Sequence, residues 1–258
     1  MLFKNFIEIN PRIKLECGKE YPCVMMDEII PGKKFVSGNI IKQFKSGTKF
    51  QKDDTLFARI TPCLENGKIA KFSGRNGSYG FGSTEFFIFR AKEDISDNDY
   101  VYYLSLSDII RKPAEASMYG ASGRQRADLS VIENIKIEYI PIHIQKKIAS
   151  ILSTYDYLIE NNTRRIKILE EMAQRIYREW FVPFRYPGHE NQKLVDSELG
   201  PIPEEWEVEK TENVMGVIGG GTPSTKKEEY WNDGDINWYV PKDLTQSVSM
   251  FSLESTKK

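Results

Sequence analysis

The sequence predicts a mixed α/β protein: a head of twisted, β-rich sheet with short helices, then a long helix suited to coiled-coil pairing. Two observations predict it. Residues 1–140 hold short β-branched or aromatic runs bounded by Gly, Asp, Asn or Pro. From Ile144 to Ile176 the period changes to alternating steps of four and three, the spacing of a helix packed along another helix.

The strand runs are "YPCVMMDEI" (Tyr21–Ile29), "KFVSGNIIKQF" (Lys34–Phe44), "TLFARI" (Thr55–Ile60) and "EFFIFRA" (Glu85–Ala91). "SGRNGSYGFGS" (Ser73–Ser83) reads as a glycine-rich connection of tight turns. "SDNDYVYYLSLSDIIRK" (Ser96–Lys112) reads as a helix with Ser96 or Asp97 as N-cap and Pro113 as its stop. In "DLSVIENIKIEYIPI" the alternation of Ile135, Ile137 and Tyr139 predicts a final strand.

The long helix has its seam at Ile144, Ile148, Ile151, Tyr155, Leu158, Asn162, Arg165, Leu169, Met172 and Ile176. Ile166 takes the place of Arg165 in the contact. At about 1.5 Å per residue, Ile144 to Phe181 spans roughly 57 Å, more than a head of this size needs. A helix that long is not stable with an apolar seam in water, so it requires a partner helix. Asn162 in the seam costs stability but restricts register, since other pairings bury its amide unpaired. The other reading of Asn161–Asn162 is a local distortion of the helix. Pro183 and Pro187 end the rod.

These signals divide the chain into a head (1–142), a long helix (143–183), an acidic Pro-containing linker (184–206) and the opening of a further strand-and-turn domain (207–258). "INWYVPKDL" (Ile236–Leu244) echoes "YPCVMMDEI", so the last piece reads as an incomplete second copy of the head.

Composition bounds the function. The chain has 258 residues, 40% of them hydrophobic, and a net charge of −1. No apolar run approaches the roughly 20 residues of a membrane span, and a cytoplasmic protein is expected. Cys17, Cys23 and Cys63 form no CxxC, and His143 and His189 are the only histidines, so neither a metal nor a cofactor is expected. Charge is segregated: Pro31 to Lys52 holds six lysines and no acid, whereas Glu190 to Glu212 holds eight acids and two lysines. Such basic clusters can meet phosphate, or they can be solvated lysine faces.

"KFQKDDTLFARITPCLENGKIAKF", "GFGSTEFFIFRAK" and "SGRQRADLSVIENIKIEYIPIHIQKKIASIL" together resemble a target-recognition domain of the type I restriction-modification specificity subunits. "YDYLIENNTRRIKILEEMAQRIYREWFV" is similar to their spacer helix, and "LGPIPEEWEVEK…GGGTPSTKKEEYWNDGDINWYVPKDL" to the opening of their second recognition domain. The resemblance implies a non-catalytic subunit that reads one half of a split site in double-stranded DNA. It implies methyltransferase (M) and restriction (R) subunits as partners. With one complete head and one spacer helix, the chain looks like a truncated or half-length form, whose helix would find its mate in a second copy. The rod is then a ruler, commensurate with about one and a half turns of duplex.

Candidate phosphate contacts are Lys42, Lys45, Lys49 and Lys52. Arg59, Asn66 and Lys68 surround a loop, and Arg and Asn are the residue types that pair bidentately with guanine and adenine. "SMYGASGRQR" offers Tyr119, Ser122, Arg124, Gln125 and Arg126. Each also reads as part of an exposed turn, and Ser83-Thr84-Glu85 as structural. "VIGGGTPSTKK" lacks the order of a phosphate-binding loop. A metal-dependent nuclease would need Asp53, Asp54, Glu65 and Lys68, but Glu65 and Lys68 are spaced ExxK. A coiled-coil protein-interaction scaffold without DNA binding is the alternative from another class.

Overall fold

The computed structural model describes residues 1–242 apart from 122, 225, 228–229 and 231–237. The chain forms two compact units, Met1–Ile176 and Tyr177–Lys258.

In the first unit α1 (Phe3–Phe6) leads into β1 (Ile7–Ile9), β2 (Glu20–Val24), β3 (Phe35–Val36) and β4 (Ile40–Gln43). Next come β5 (Thr48–Gln51), β6 (Thr55–Ala58), β7 (Ile69–Phe72), β8 (Tyr79–Gly82) and β9 (Phe86–Ala91). Helices α2 (Asn98–Leu106), α3 (Asp108–Ala116) and α4 (Leu129–Glu133) precede the long α5 (Ile142–Phe181).

The strands make a five-stranded sheet, β1-β9-β6-β7-β3, and a four-stranded sheet, β4-β2-β8-β5. Their inner faces meet through Val24, Phe50, Leu56, Phe72, Phe86 and Ile88. The other face of the larger sheet, with Ile7, Phe57, Phe87 and Phe89, is covered by helices through Val101, Tyr102, Ile110 and Ile132. The larger sheet is therefore the middle of three layers. That explains why "FFIF" is continuously apolar: in a strand buried on both faces, successive side chains enter different cores.

Several sequence expectations are corrected. The glycine-rich stretch contains β8, and Gly80 and Gly82 serve close packing rather than turns: a Cβ would collide with the Phe50 ring at one and the Val24 carbonyl at the other. The helix expected over 96–112 is two helices. Asp97 caps the first by accepting from the amides of Asp99 and Tyr100 at 3.0 Å. The break falls at Ser107, whose Oγ donates to the Leu104 carbonyl, and Pro113 lies inside α3 instead of stopping it. The expected last strand is an extended segment bridged only at Leu2–Lys136, with Ile135 and Ile137 buried and Tyr139 exposed. Its first half is α4, capped by Asp128.

Helix α5 leans on the head along one polar stripe. Gln145, fully buried, accepts from the Asp97 amide (2.9 Å) and donates to the Ile95 (2.9 Å) and Ile140 (2.7 Å) carbonyls. Eight residues on, Ser153 Oγ accepts from Lys34 Nζ at 2.7 Å. Asp156 accepts from the Tyr103 hydroxyl, and Glu160 from Arg75 at 2.9 Å. Lys34, one of the six lysines of 31–52 read from sequence as phosphate-meeting or solvated, is buried: it pairs with Asp99 at 2.8 Å and lies within 6 Å of four aromatic ring centres, those of Phe35, Tyr102, Tyr103 and Tyr157. Asp99, shared by Lys34 and Lys71, is raised by burial but lowered more by those two ammonium groups, and ends below the usual carboxylate range.

The second unit holds the end of α5 and the antiparallel hairpin β10 (Leu194–Ser197)–β11 (Gly200–Pro203), both strands within the stretch read as a linker. Trp206 packs there against Phe181, Phe184 and Tyr186. Of the echo segment Ile236–Leu244, residues 236–237 and 243–244 lie outside the described residues.

Candidate nucleic-acid interface

Two of the sequence-predicted loops come together at one carboxylate. Just after β6, the Arg59 amide donates to the Glu85 carbonyl (3.0 Å), and the Arg59 carbonyl accepts from the Ala127 amide (2.8 Å). Thr61 donates to the Gln125 carbonyl at 2.9 Å. Tyr119 and Arg126 exchange backbone hydrogen bonds of 3.1 and 2.9 Å, which closes 119–126 into a hairpin-like turn. These bonds stitch residues 59–61 to a segment more than sixty positions away.

At the centre sits Glu85, immediately before β9. Arg126 donates side-on: Nε lies 2.9 Å from Oε2 and Nη2 2.6 Å from Oε1. Arg59 Nε also donates to Oε2, at 3.2 Å, with its guanidinium 5.3 Å from the centre of the Phe87 ring. The hydrogen bond from Arg126, assisted by Arg59, holds the Glu85 carboxyl below its ordinary range. Two guanidiniums against one carboxylate leave the cluster with a charge of about +1. Tyr119, 66% exposed, and the exposed Arg124 belong to the same turn, and Gln125 is half-buried. Ser122 lies outside the described residues. Glu85 is the member that sequence reading passed over as structural. Its partners lie 26 and 41 positions away, so no local signal marks it.

The other candidates divide. Lys68 is committed to the fold, donating to the Met26 carbonyl at 2.8 Å. Asn66 has an exposed side chain in the turn closed by its amide on the Pro62 carbonyl. Lys42 is in register with Tyr21, and Lys49 with Phe81, so both project from the outer face of the smaller sheet, on its two edge strands. Lys49 Nζ lies 5.2 Å from the centre of the Phe44 ring. Lys45 is exposed in the connection between those edges. Lys52 follows β5 at the opposite end from Thr48, its stem over Gly74, so it does not join them. Phe81 is four residues from Glu85, which keeps the lysine face within about 14 Å of backbone from the arginine cluster.

Two of the three acids considered for metal-dependent hydrolysis, Asp53 and Asp54, are engaged within the fold. Asp54, 1% exposed, accepts two hydrogen bonds of 2.7 Å from Arg90 and one of 2.7 Å from the Gln51 amide. Asp53 pairs with Lys71 at 2.9 Å. No group of three or more His, Cys, Asp or Glu among the described residues could hold a metal ion, and no described helix is long and apolar enough to cross a membrane.

The pairing seam on α5 faces away from the docking stripe. Ile151 and Tyr155 are each 63% exposed, Leu169 61% and Leu158 54%. Met172 and Ile176 are also exposed, as is Asn162, while Ile148, near the head, is half-buried.

Residues 15–171 match the family model described as the type I restriction modification DNA specificity domain. The MjaVIII specificity subunit of Methanocaldococcus jannaschii is 29% identical over 222 residues, 83% of this chain and 49% of that protein. The EcoAI specificity subunit of Escherichia coli is 28% identical over 178 residues, 66% and 30% of the two. A crystal structure of the HsdS subunit from Thermoanaerobacter tengcongensis aligns with a TM-score of 0.44 and 19% identity, over 66% of this chain and 45% of that one. The chain spans about half or less of the length of these relatives. The family model covers more than half of the chain, which therefore belongs to the type I restriction-modification DNA specificity family.

Proposed function

We propose that the chain is a non-catalytic reader of double-stranded DNA that directs methyltransferase (M) and restriction (R) subunits to a bipartite site in the cytoplasm. In this reading residues 1–142 are the recognition head, 143–183 the spacer, 184–206 a link and 207–258 the opening of a second head. Arg59, Asn66, Tyr119, Ser122, Arg124, Gln125 and Arg126 are the candidate base contacts of this reading, while Lys42, Lys45 and Lys49 supply phosphate contacts. The observation that carries the reading is the Arg59–Glu85–Arg126 cluster with exposed Tyr119 and Arg124 beside it. It offers planar forks and a stacking ring, the groups that recognise base edges. A second copy of the chain, antiparallel along the α5 seam, places two such heads at opposite ends.

A gel shift with duplex DNA tests this. Binding should weaken steeply with salt, with a slope near −0.9 per phosphate neutralised. Absence of a shift favours the other reading, a protein-interaction scaffold, for which the open seam on α5 speaks. Magnesium-dependent cleavage by the purified chain alone would overturn the non-catalytic assignment.

A further inference from the structure

We infer that Arg126 reads a guanine within the half-site recognised by this head, and that Glu85 is the positioning residue that holds its guanidinium for that contact. The inference rests on the DNA-reading function proposed above and names one base of its target.

A guanidinium carries five N–H groups in a rigid plane. The side-on contact with Glu85 uses Nε–H and one hydrogen of Nη2. Both hydrogens of Nη1 and the outer hydrogen of Nη2 remain. They form the end-on fork whose two parallel N–H groups match O6 and N7 of guanine in the major groove. The side chain is 44% exposed, although both of its bonds to Glu85 are made.

The carboxylate is itself fixed. Arg59 Nε donates to Oε2 as well, at 3.2 Å. The Glu85 carbonyl accepts from the Arg59 amide, and the Glu85 amide donates to Ser83 Oγ at 3.2 Å. On the other side, the Arg126 backbone is paired with Tyr119. Both ends of the pair are anchored, so the rotamer freedom that an exposed arginine loses on binding is already lost on folding. Diffuse attraction to phosphate, of the kind a lysine supplies as a point charge, needs no such brace, whereas a bidentate contact requires the plane to be held.

Glu85 also moderates charge. Its neutral isostere raises the cluster from about +1 to about +2, which strengthens attraction to every DNA sequence while it frees the fork to rotate. Affinity for DNA in general and discrimination between bases then move in opposite directions. Loss of a purely structural contact would not produce that pattern.

The test is selection of bound duplexes from a randomised pool with the full chain, followed by binding measurements on each single-base variant of the selected site. The proteins are the parent, Glu85→Gln and Arg126→Lys, each checked for its melting temperature. The parent should select a guanine whose replacement weakens binding roughly 5- to 150-fold. Arg126→Lys should abolish discrimination at that position alone and keep the salt slope. Glu85→Gln should reduce the same discrimination and steepen the slope by about one. If Glu85→Gln fails to fold, Glu85→Asp keeps the charge but withdraws the carboxylate by one methylene, and it must show the same loss at that base. Salt-dependent binding with no guanine sensitive to Arg126, or with discrimination untouched by the Glu85 variant, overturns this inference and leaves the DNA-reading function standing. Absence of salt-dependent binding overturns both.

Discussion

Phe57 and Phe89 are completely enclosed in the head, ring centres 5.0 Å apart, whereas Ile151 and Leu169 on α5 are more than 60% exposed. Both regions are rich in large apolar side chains, but only the head closes them on themselves. Burying each such ring stabilises the head by about 1.5–3 kcal/mol, and three layers share the gain. The helix meets the head through the polar groups Gln145, Ser153, Asp156 and Glu160, with Ala149 buried among them and Tyr157 against Phe35. The head therefore specifies itself, while the helix is aimed by the head and remains open for a mate along its other face.

The largest effect follows from the open face. Ile151→Asp/Leu158→Asp puts two charges into the seam, where no partner could match them, so assembly should be lost outright. Light scattering at micromolar concentration should find the parent as a dimer and the double variant as a monomer with an unchanged melting transition of the head. A monomeric parent would break the comparison at its base.

A smaller effect tests the aiming face. Lys34→Met keeps an unbranched side chain of similar length but removes the donor shared by Asp99, Tyr103 and Ser153. Asp99 keeps Lys71 at 2.8 Å, and Tyr103 keeps Ser153 at 3.2 Å, so no group is left alone. The expected loss is about 1–3 kcal/mol in urea denaturation. A loss near zero would mean that apolar contacts around Tyr157 and Phe35, not the ammonium, hold the helix.

The same contrast explains what the sequence disclosed. Ile151, Leu158 and Leu169 are legible as an apolar stripe of a long helix because their spacing is local and needs no knowledge of the fold. "EFFIF" and "TLFARI" were legible as strands for the same reason. The docking stripe was not, because Gln145 and Ser153 acquire meaning only from Ile95, Asp97 and Lys34, contributed by other parts of the head. Gly80 and Gly82 carry turn chemistry in sequence, and only the neighbouring strands reveal that they are spacers. At the candidate interface Arg59 and Arg126 stood out by residue type, but the carboxylate that joins them did not. The Ser107 break was hidden by Pro113, a stronger local signal in the wrong place.

The smallest effect separates the two cations of the head that reach α5. Arg75 reaches Glu160 at 2.9 Å, much as Lys34 reaches Ser153 at 2.7 Å, but the Arg75 side chain is 55% exposed and that of Lys34 1%. Water screens the first pair, and Glu160 keeps Arg164 at 3.3 Å when Arg75 is removed. Arg75→Ala should therefore cost no more than about 1 kcal/mol in urea denaturation, and less at high salt. If it costs as much as Lys34→Met, burial is not what distinguishes the two anchors, and the helix must be held by the summed geometry of the stripe.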